Sequence, residues 1–449
     1  MTPPTTTTSD LFPGRPVPSR GATLAWLAGL LLVLTVLGWR WVGLFDWGIP
    51  ENRNAAFREA VAWRHGTMDL GPPYYELAPF GGKHYNVVGP LFTGLCVVGI
   101  HITQWLGGPA DTMAPWLLTM VIALPLPLAL FGCYRALGMA NPWAAALTLH
   151  AIVGTSLWAN LGNLRGGDLY SINHVLALVG LSLLLGDLLG RRRIWPAGIG
   201  LCIAVWSRQI TCLYAAPLLW IAWRCPTLHG PSGLLRVSQI APHSAAPTVP
   251  THSPARTPEF LRRRRILTAV AFIALAAAVP MTLSAIKFGN PLDTGYPRMF
   301  DNDRNDADAR DARRQFLGPV HWPKHFRAMF LSVPTIEIRQ GRLMIVVVDT
   351  PGTAIWFTNP LVLAVAWTAR RWWADRARRT LMLASFAVLL GVAGYHNTSA
   401  QNSGCYRYAL DFLPVWFAVV APYLPGVRSR EWALLAMTWS VAYFLLLVR

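Results

Sequence analysis

Acidic and basic side chains gather just after the first apolar stretch of the chain, and their types suit general base catalysis beside a phosphate. The segment GLFDWGIPENRNAAFREAVAW contains Asp46, Glu51 and Arg53. A carboxylate held near a bilayer surface against a dry wall acquires the raised pKa that a general base requires. Acidic residues at the start of a helix also simply stabilise its positive dipole end. Asp46 and Glu51 are therefore candidate bases, with the electrostatic alternative left open.

A basic and aromatic cluster follows in the segment PPYYELAPFGGKHYNVVGPLF. Gly81 and Gly82 predict a tight turn that presents Lys83 and His84, with Tyr85 directly after them. A cation beside an aromatic ring suits a lipid-linked phosphate, because the charge binds phosphate and the ring contacts the lipid chain. The same residues could instead form an interfacial aromatic anchor with an extended lysine.

Further polar residues lie at the ends of apolar stretches, and we include five of them in the candidate site: Asp168, His174, Arg208, Arg407 and Tyr408. Arg208 interrupts a long apolar run and needs a phosphate or a carboxylate as its partner. A lone histidine such as His174 is more commonly a structural hydrogen-bonding group. Arg407 and Asp411 are four residues apart and could neutralise one another on a helix.

The sequence predicts neither a metal site nor a cofactor. The run DNDRNDADARDA begins like a calcium loop, but Asp306 replaces the required glycine and Ala312 the required glutamate. His321 and His325 are four residues apart, yet Pro323 between them disfavours the helix that would align them for zinc. No glycine-rich nucleotide-binding loop is present in the sequence.

The composition shows which elements must position these groups. Of the 449 residues, 53% are hydrophobic and only 13% are charged. A soluble domain carries about 25% charged residues, so a water-soluble globule is excluded. The net charge of +18 comes from short basic clusters beside apolar runs, which is typical of cytoplasmic membrane flanks and excludes nucleic acid as a partner. The six cysteines are scattered without a CxxC motif, which is typical of small residues in a protein core.

Apolar stretches of membrane-spanning length predict an all-α polytopic membrane protein, a bundle of about 11 transmembrane helices with outward-facing juxtamembrane helices. The predicted crossings lie near 22–44, 113–134, 142–159, 172–189, 266–286, 354–369, 380–396, 408–425 and 432–448. The run 194–224 adds a helical hairpin with Arg208 at its tip, because a charge at mid-bilayer is costly.

The positive-inside rule sets the orientation. Placing 88–107 at the outer interface, not across the bilayer, puts all the major arginine clusters in the cytoplasm. The predicted organisation is a cytoplasmic tail at 1–21, a catalytic module at 22–224, a flexible linker at 225–265 and a second module at 266–449. The outward segments are 45–112 and 287–353, where the chemistry is expected.

Several motifs in order along the chain resemble those of bacterial members of the GT-C class. These motifs are GGKHYNVVGPLF, SINHVLAL, PAGIGLCIAVWSRQ, KFGNPLDTGY and RYALDFLP. The class comprises polytopic glycosyltransferases related to protein O-mannosyltransferases and the lipid A aminoarabinose transferase. The resemblance spans nearly the whole chain through the order and spacing of the motifs.

The resemblance implies transfer of a sugar, with inversion, from a polyprenyl-phosphate carrier to a lipid, glycan or protein acceptor on the outer face of the cytoplasmic membrane. It points to Glu51 as the general base, with Asp46 as second choice, although many relatives have NDR where this chain has ENR. It maps the donor phosphate onto Lys83, Arg208 and Arg407. The other candidate substrate-binding residues are Arg53, His84, Tyr85, Asp168, His174 and Tyr408.

Three other functions remain open at the level of sequence. A non-enzymatic relative of the same fold would act as a lipid-binding or scaffold protein. A transporter of lipid-linked saccharides would place polar residues at mid-membrane around a shared cavity. An O-antigen polymerase or ligase would also act on lipid-linked sugars at the outer face.

Overall fold

The computed structural model describes most of the chain and shows a mainly helical protein. The described residues are 19–38, 54–72, 77–114, 117, 124–162, 169–224, 258–303, 315–339, 342–346, 353–397 and 406–447. Four of the candidate site residues lie outside these ranges: Asp46, Glu51, Arg53 and Asp168. The same is true of most of the predicted linker. The helical content agrees with the predicted all-α class.

The helices of the N-terminal half differ widely in length. They are α1 Arg20–Leu37, α2 Ala55–Arg64, α3 Pro90–Trp105, α4 Pro125–Ala136, α5 Asn141–Val153, α6 Ser156–Gly162, α7 Leu169–Leu185, α8 Ile194–Ser207 and α9 Ala215–Arg224. A π-helical turn, Gly186–Arg191, extends α7, and a 3₁₀ helix, Gln209–Tyr214, joins α8 to α9. The predicted break in the run 194–224 is thus present, with Arg208 between the two helical segments.

The C-terminal half begins with the longest helix and continues in shorter pieces. Its α-helices are α10 Pro258–Phe288, α11 Trp322–Phe326, α12 Ile355–Thr358, α13 Leu363–Trp367, α14 Ala369–Ala374, α15 Arg376–Ala393, α16 Leu413–Val420 and α17 Val427–Leu447. Its 3₁₀ and π segments are Tyr296–Asp303, Pro319–His321, Arg327–Leu331, Pro360–Val362, Arg407–Asp411 and Ala421–Tyr423.

In the part of the chain that the structure describes, two antiparallel β-hairpins interrupt the helical pattern. Strands β1 Leu77–Phe80 and β2 Lys83–Asn86 form the first, and β3 Thr335–Arg339 and β4 Arg342–Val346 form the second. The sequence did not predict these strands, because four or five residues carry too little alternation to indicate a strand. Both hairpins fall within the two segments that were predicted to face outward.

Helix α7 forms the centre of the bundle. It packs against α8, α4 and α16, and α8 packs in turn against α10. The apolar window within α7 and its π-helical extension is 83% buried, which explains why its sequence is hydrophobic on all sides. Helix α1 packs on α5 at the periphery and buries only 11% of its apolar window.

Within the described ranges, three helical stretches are long and apolar enough to cross a membrane: Arg20–Leu37, Tyr170–Arg191 and Glu259–Phe288. Two shorter apolar helices are Ile194–Ser207 and Leu413–Tyr423. The first and third of the long stretches have largely exposed apolar surfaces, as expected of helices that face lipid. These lengths support membrane association, whereas the number of crossings and their orientation stay predictions.

Some predicted crossings are not continuous helices. The stretch 354–369 is divided where Asn359 leaves the helical conformation just before Pro360. Proline lacks the N–H that would continue the helix and restricts the residue before it. The stretch 142–159 is likewise divided between α5 and α6, and Gly154 is the residue that ends α5.

Candidate functional site

The Ala, Phe and Val residues spaced through NAAFREAVAW predict an amphipathic helix lying on the membrane after Pro50, with Asn52 or Asn54 as its cap. The structure forms helix α2 there, and its cap is Asn54. The Asn54 side-chain oxygen accepts hydrogen bonds from the N–H groups of Ala56 (3.0 Å) and Phe57 (3.1 Å). This satisfies two of the donors that every helix leaves unpaired at its start. The helix is largely buried and contacts α3 and β2. It therefore packs within the protein and does not lie only on the membrane surface, where the amphipathic pattern predicted it.

A buried ion pair between Glu59 and Lys287 joins α2 to the end of α10. The second carboxylate oxygen of Glu59 accepts hydrogen bonds from the Asn86 amide (2.8 Å) and the Thr93 hydroxyl (2.7 Å). Lys287 also donates to the Asn86 carbonyl at 2.9 Å. The carboxylate is therefore neutralised and fully occupied, which makes Glu59 a positioning residue for the outward segment.

Asp69 fixes the first hairpin against the chain after α2. Its carboxylate accepts hydrogen bonds from the N–H of His84 (3.0 Å) and the N–H of Gly71 (3.1 Å). The bond from the His84 N–H is the main cause that lowers the pKa of Asp69, because it favours the charged form. Burial raises the pKa of Tyr85, and the charge of Asp69 adds to this effect.

The predicted turn at Gly81 and Gly82 is present, with φ of +57° and +76°, and it closes the hairpin. Lys83 is exposed beside this turn and His84 is half-buried. Tyr85 is buried, with its ring edge-on to Phe288 at 5.6 Å. The hairpin thus presents its cation to solvent while its aromatic residue is packed against α10.

Close backbone packing joins the end of this hairpin region to the end of α8. A Cβ atom on Gly89 would lie 2.2 Å from the carbonyl oxygen of Trp206 and 2.6 Å from that of Ser207. Only glycine allows this approach. Arg208 follows Ser207 directly, where α8 ends. The start of α3 and Arg208 therefore lie at the same end of the bundle.

Arg208 forms a buried two-point ion pair with Asp411. Its Nη2 donates to Oδ2 at 2.6 Å and its Nε to Oδ1 at 3.2 Å. The His174 Nδ1 lies 3.4 Å from the same Oδ1, and the Tyr214 hydroxyl donates to the Asp411 carbonyl at 2.9 Å. Asp411 therefore provides the carboxylate partner that the sequence required for Arg208, and it brings His174 into the same group.

Aromatic rings lie beside two arginines of the candidate site, Arg208 and Arg407. The Arg208 guanidinium lies 5.4 Å from the centre of the Tyr408 ring, and that of Arg407 lies 5.2 Å from the centre of the Tyr170 ring. The rings of His174 and Tyr408 are 6.4 Å apart. Arg208, His174 and Tyr408, predicted from separate motifs, are thus brought together. Such a cation and ring set suits a ligand that has both anionic and apolar parts.

A chain of ring contacts leads from Tyr408 toward the first hairpin. We call it the aromatic cluster and define it as Tyr296, Phe316, Tyr395, Tyr406 and Tyr408. Neighbouring rings in it are 4.9 to 6.0 Å apart. The 3₁₀ segment that begins at Tyr296 contacts β1. The hairpin with Lys83 and the site with Arg208 are therefore linked through one continuous aromatic layer.

His325 attaches its own short helix, α11, to the aromatic cluster. Its Nε2–H donates to the Tyr395 carbonyl at 2.6 Å, which leaves Nδ1 to accept from the Tyr406 hydroxyl. Burial lowers the pKa of His325 to about 4, opposed in part by the bond to Tyr395. Both ring nitrogens are occupied, so His325 does not act together with His321 as a zinc ligand.

The lowered pKa of His325 predicts a loss of stability in acid. The unfolded chain binds the proton near pH 6.5 and the folded chain only near pH 4. Stability is therefore complete above about pH 6.5 and decreases as the pH falls toward 4, by up to about 1.4 kcal/mol per pH unit. Thermal unfolding midpoints in detergent between pH 7.5 and 4.5 measure this loss.

The matched variant is His325→Gln, which removes the titrating group. Its midpoint is expected to fall less between pH 7 and pH 4.5 than that of the unaltered chain. Parallel curves for the two proteins would show that His325 does not contribute to the acid sensitivity.

Two further features bear on ligand binding. An open groove of about 520 Å³ lies between α1 and α5, but its lining carries no charged side chain and does not suit a phosphate. Within the described ranges, no group of three or more histidine, cysteine, aspartate or glutamate side chains is arranged to hold a metal ion.

Several residues of this region were not identified from the sequence. In the sequence, Glu59 is one of several acidic residues after the first apolar stretch, and Lys287 is the first residue of the motif KFGNPLDTGY. The signal that could have found Lys287 is a charge at the end of the long apolar run before it, where an unpaired cation is costly. Tyr395 and Tyr406 gave no comparable signal.

Comparisons with protein-family models, curated proteins and solved structures give no match to this chain.

Proposed function

We propose that this protein is an inverting glycosyltransferase that moves a sugar from a polyprenyl-phosphate carrier to an acceptor at the outer face of the membrane. The observation that carries the proposal is the position of Arg208, Arg407 and their aromatic partners at the end of the bundle where the first hairpin presents Lys83. Cations and rings at one membrane face suit a phosphate with an isoprenoid chain.

The roles of the three cations differ. Arg208 shares its charge with Asp411, so less of that charge is available to a bound phosphate. We assign the principal phosphate contact to Lys83, which is exposed beside the hairpin turn. Arg407, beside the Tyr170 ring, is the second phosphate contact, and Arg208 places Tyr408. Departing phosphate charge is stabilised by such cations without a general acid.

The acceptor hydroxyl has a high pKa and benefits from a positioned base. We assign that role to Glu51, with Asp46 as the alternative. Glu59 is unsuited to it, because Lys287 neutralises its charge and both of its oxygens have partners.

Sugar transfer in membrane vesicles tests the proposal directly. Glu51→Gln is expected to lower the rate about 10²- to 10⁴-fold, the usual contribution of a general base. Asp46→Asn should have the smaller effect. The matched control is Glu259→Gln, which alters an exposed acid at the opposite end of α10 and should leave the rate unchanged.

Lys83→Gln probes the donor site separately. It is expected to raise the KM for the lipid-linked donor more than it lowers kcat.

Full activity of Glu51→Gln and Asp46→Asn together would remove the assignment of the base. If no polyprenyl-phosphate species co-purified with the protein by mass spectrometry, the donor class would lose its support.

A further inference from the structure

Residues 315–333 carry an exposed apolar surface within the second outward segment. We call this stretch the outer segment. Five of its large apolar side chains are between 38% and 73% exposed: Leu317, Val320, Trp322, Leu331 and Val333. Several large apolar side chains exposed within one short segment indicate a contact surface.

The outer segment is attached to the end of α15 and adjoins the exposed apolar side of that helix. Leu383, Phe386 and Leu390 form an exposed stripe along α15, a predicted crossing. The Trp322 indole N–H donates to the Leu390 carbonyl at 3.2 Å. Leu317 pairs with Tyr395 just beyond the helix end. The exposed apolar stripe of α15 and the exposed apolar residues of the outer segment therefore meet at Trp322 and Leu317.

The charges of the outer segment are cationic and exposed. Lys324 and Arg327 lie among the apolar residues, and Trp322 is close in sequence to both. Tryptophan with lysine and arginine beside apolar side chains is the composition of protein surfaces at the level of lipid headgroups.

The opposite side of the outer segment is fixed to the protein interior. Ala328 and Met329 are buried, and His325 is bound to Tyr395 and Tyr406. The Trp356 indole donates to the Phe330 carbonyl at 2.8 Å. The segment is therefore held in one orientation, with one side on the aromatic cluster and the other outward.

We propose that the outer segment is a membrane-binding surface embedded in the headgroup region of the outer leaflet. Its apolar side chains enter the boundary of the acyl chains, and Lys324 and Arg327 bind lipid headgroup phosphates. The occupant follows from the continuity with the α15 stripe and from the complementary charge. This inference concerns the membrane and stands whether or not the chain transfers sugar.

Spin labels on single cysteines test the depth of the outer segment in vesicles that contain phosphatidylglycerol. Labels at Val320 and Leu331 are compared with a label at Leu383, the lipid reference, and one at Glu259, the water-exposed reference. The measured quantity is the accessibility to oxygen relative to a nickel chelate. Values between the two references are expected at Val320 and Leu331.

Values equal to that at Glu259 would overturn the proposal. Dipolar broadening between two Leu331 labels would also overturn it, because the surface would then bind a second copy of the chain. In the double variant K324Q/R327Q, the Leu331 label should move toward the water value. An unchanged depth of the Leu331 label in this variant would exclude the phosphate contacts. The control is the double variant E259Q/R263Q.

The labelling background requires replacement of the six cysteines, of which Cys96, Cys133 and Cys202 are buried. A photoreactive benzoylphenylalanine at Leu331 avoids this requirement. Its adducts with phosphatidylglycerol should be found by mass spectrometry, and the same group at Glu259 should give few. Equal yields at the two positions would contradict the proposal.

Discussion

The variant Asp411→Asn is expected to destabilise the protein by about 3–5 kcal/mol, the usual cost of removing one member of a buried ion pair. Asp411 is fully buried and holds both Arg208 and His174. Without its negative charge the Arg208 guanidinium stays buried and uncompensated. Thermal unfolding midpoints in detergent, followed by the loss of monomer on size exclusion, measure the effect.

The matched control removes both charges. The double variant Arg208→Met with Asp411→Leu should recover much of the lost stability, since replacing a whole buried pair by apolar residues is often neutral or stabilising. The opposite order, with the double variant less stable than Asp411→Asn, would show that hydrogen bonding and not charge governs this region. Sugar transfer should be low in the double variant, because Tyr408 loses its cation partner. It should also be low in Asp411→Asn, because the carboxylate no longer holds the Arg208 guanidinium in place.

The variant Glu59→Gln is expected to cost a similar amount, about 3–5 kcal/mol, because Lys287 is only 6% exposed. The loss of stability should at first be local. Helix α2, strand β2 and α3 all converge on Glu59, Asn86 and Thr93, so the first outward segment should open before the bundle does. Limited proteolysis after residue 54 and before residue 90 measures this opening.

The control for this prediction is Glu59→Gln combined with Lys287→Met. It leaves no buried charge and should restore resistance to protease. Unchanged resistance in the single variant would show that the hairpin is held mainly by Asp69 and by the packing of Tyr85 on Phe288.

Local features of the fold could be predicted from the sequence. The cap at Asn54, the turn at Gly81 and Gly82 and the interruption at Arg208 follow from single residues and their immediate neighbours. Each depends on a backbone preference or a cost of burial that acts within a few positions.

Interruptions within apolar stretches were harder to predict. The division at Pro360 contradicts a continuous crossing, although proline alone indicates a break. Hydropathy averages over a window and does not detect such a break. The short strands were missed for the related reason that four residues give almost no periodic signal.

The contacts that build the candidate site could not be predicted, because they join distant parts of the chain. Arg208 and Asp411 are 203 positions apart. The sequence showed that Arg208 required a partner, but Asp411 was equally well placed to pair with Arg407, four positions before it. The approach of Arg208, which directly follows α8, to Asp411 in the 3₁₀ segment at 407–411 decides between them, and this depends on how the whole bundle packs.

Both buried ion pairs join the N-terminal half to the C-terminal half, since Glu59 and Arg208 precede residue 225 and Lys287 and Asp411 follow it. During synthesis the first half is complete before either counter-charge has left the ribosome. A fragment that ended in the 225–257 stretch would keep two orphan charges and should become a substrate for quality-control proteases. Separately synthesised halves should survive only when both are produced in the same cell.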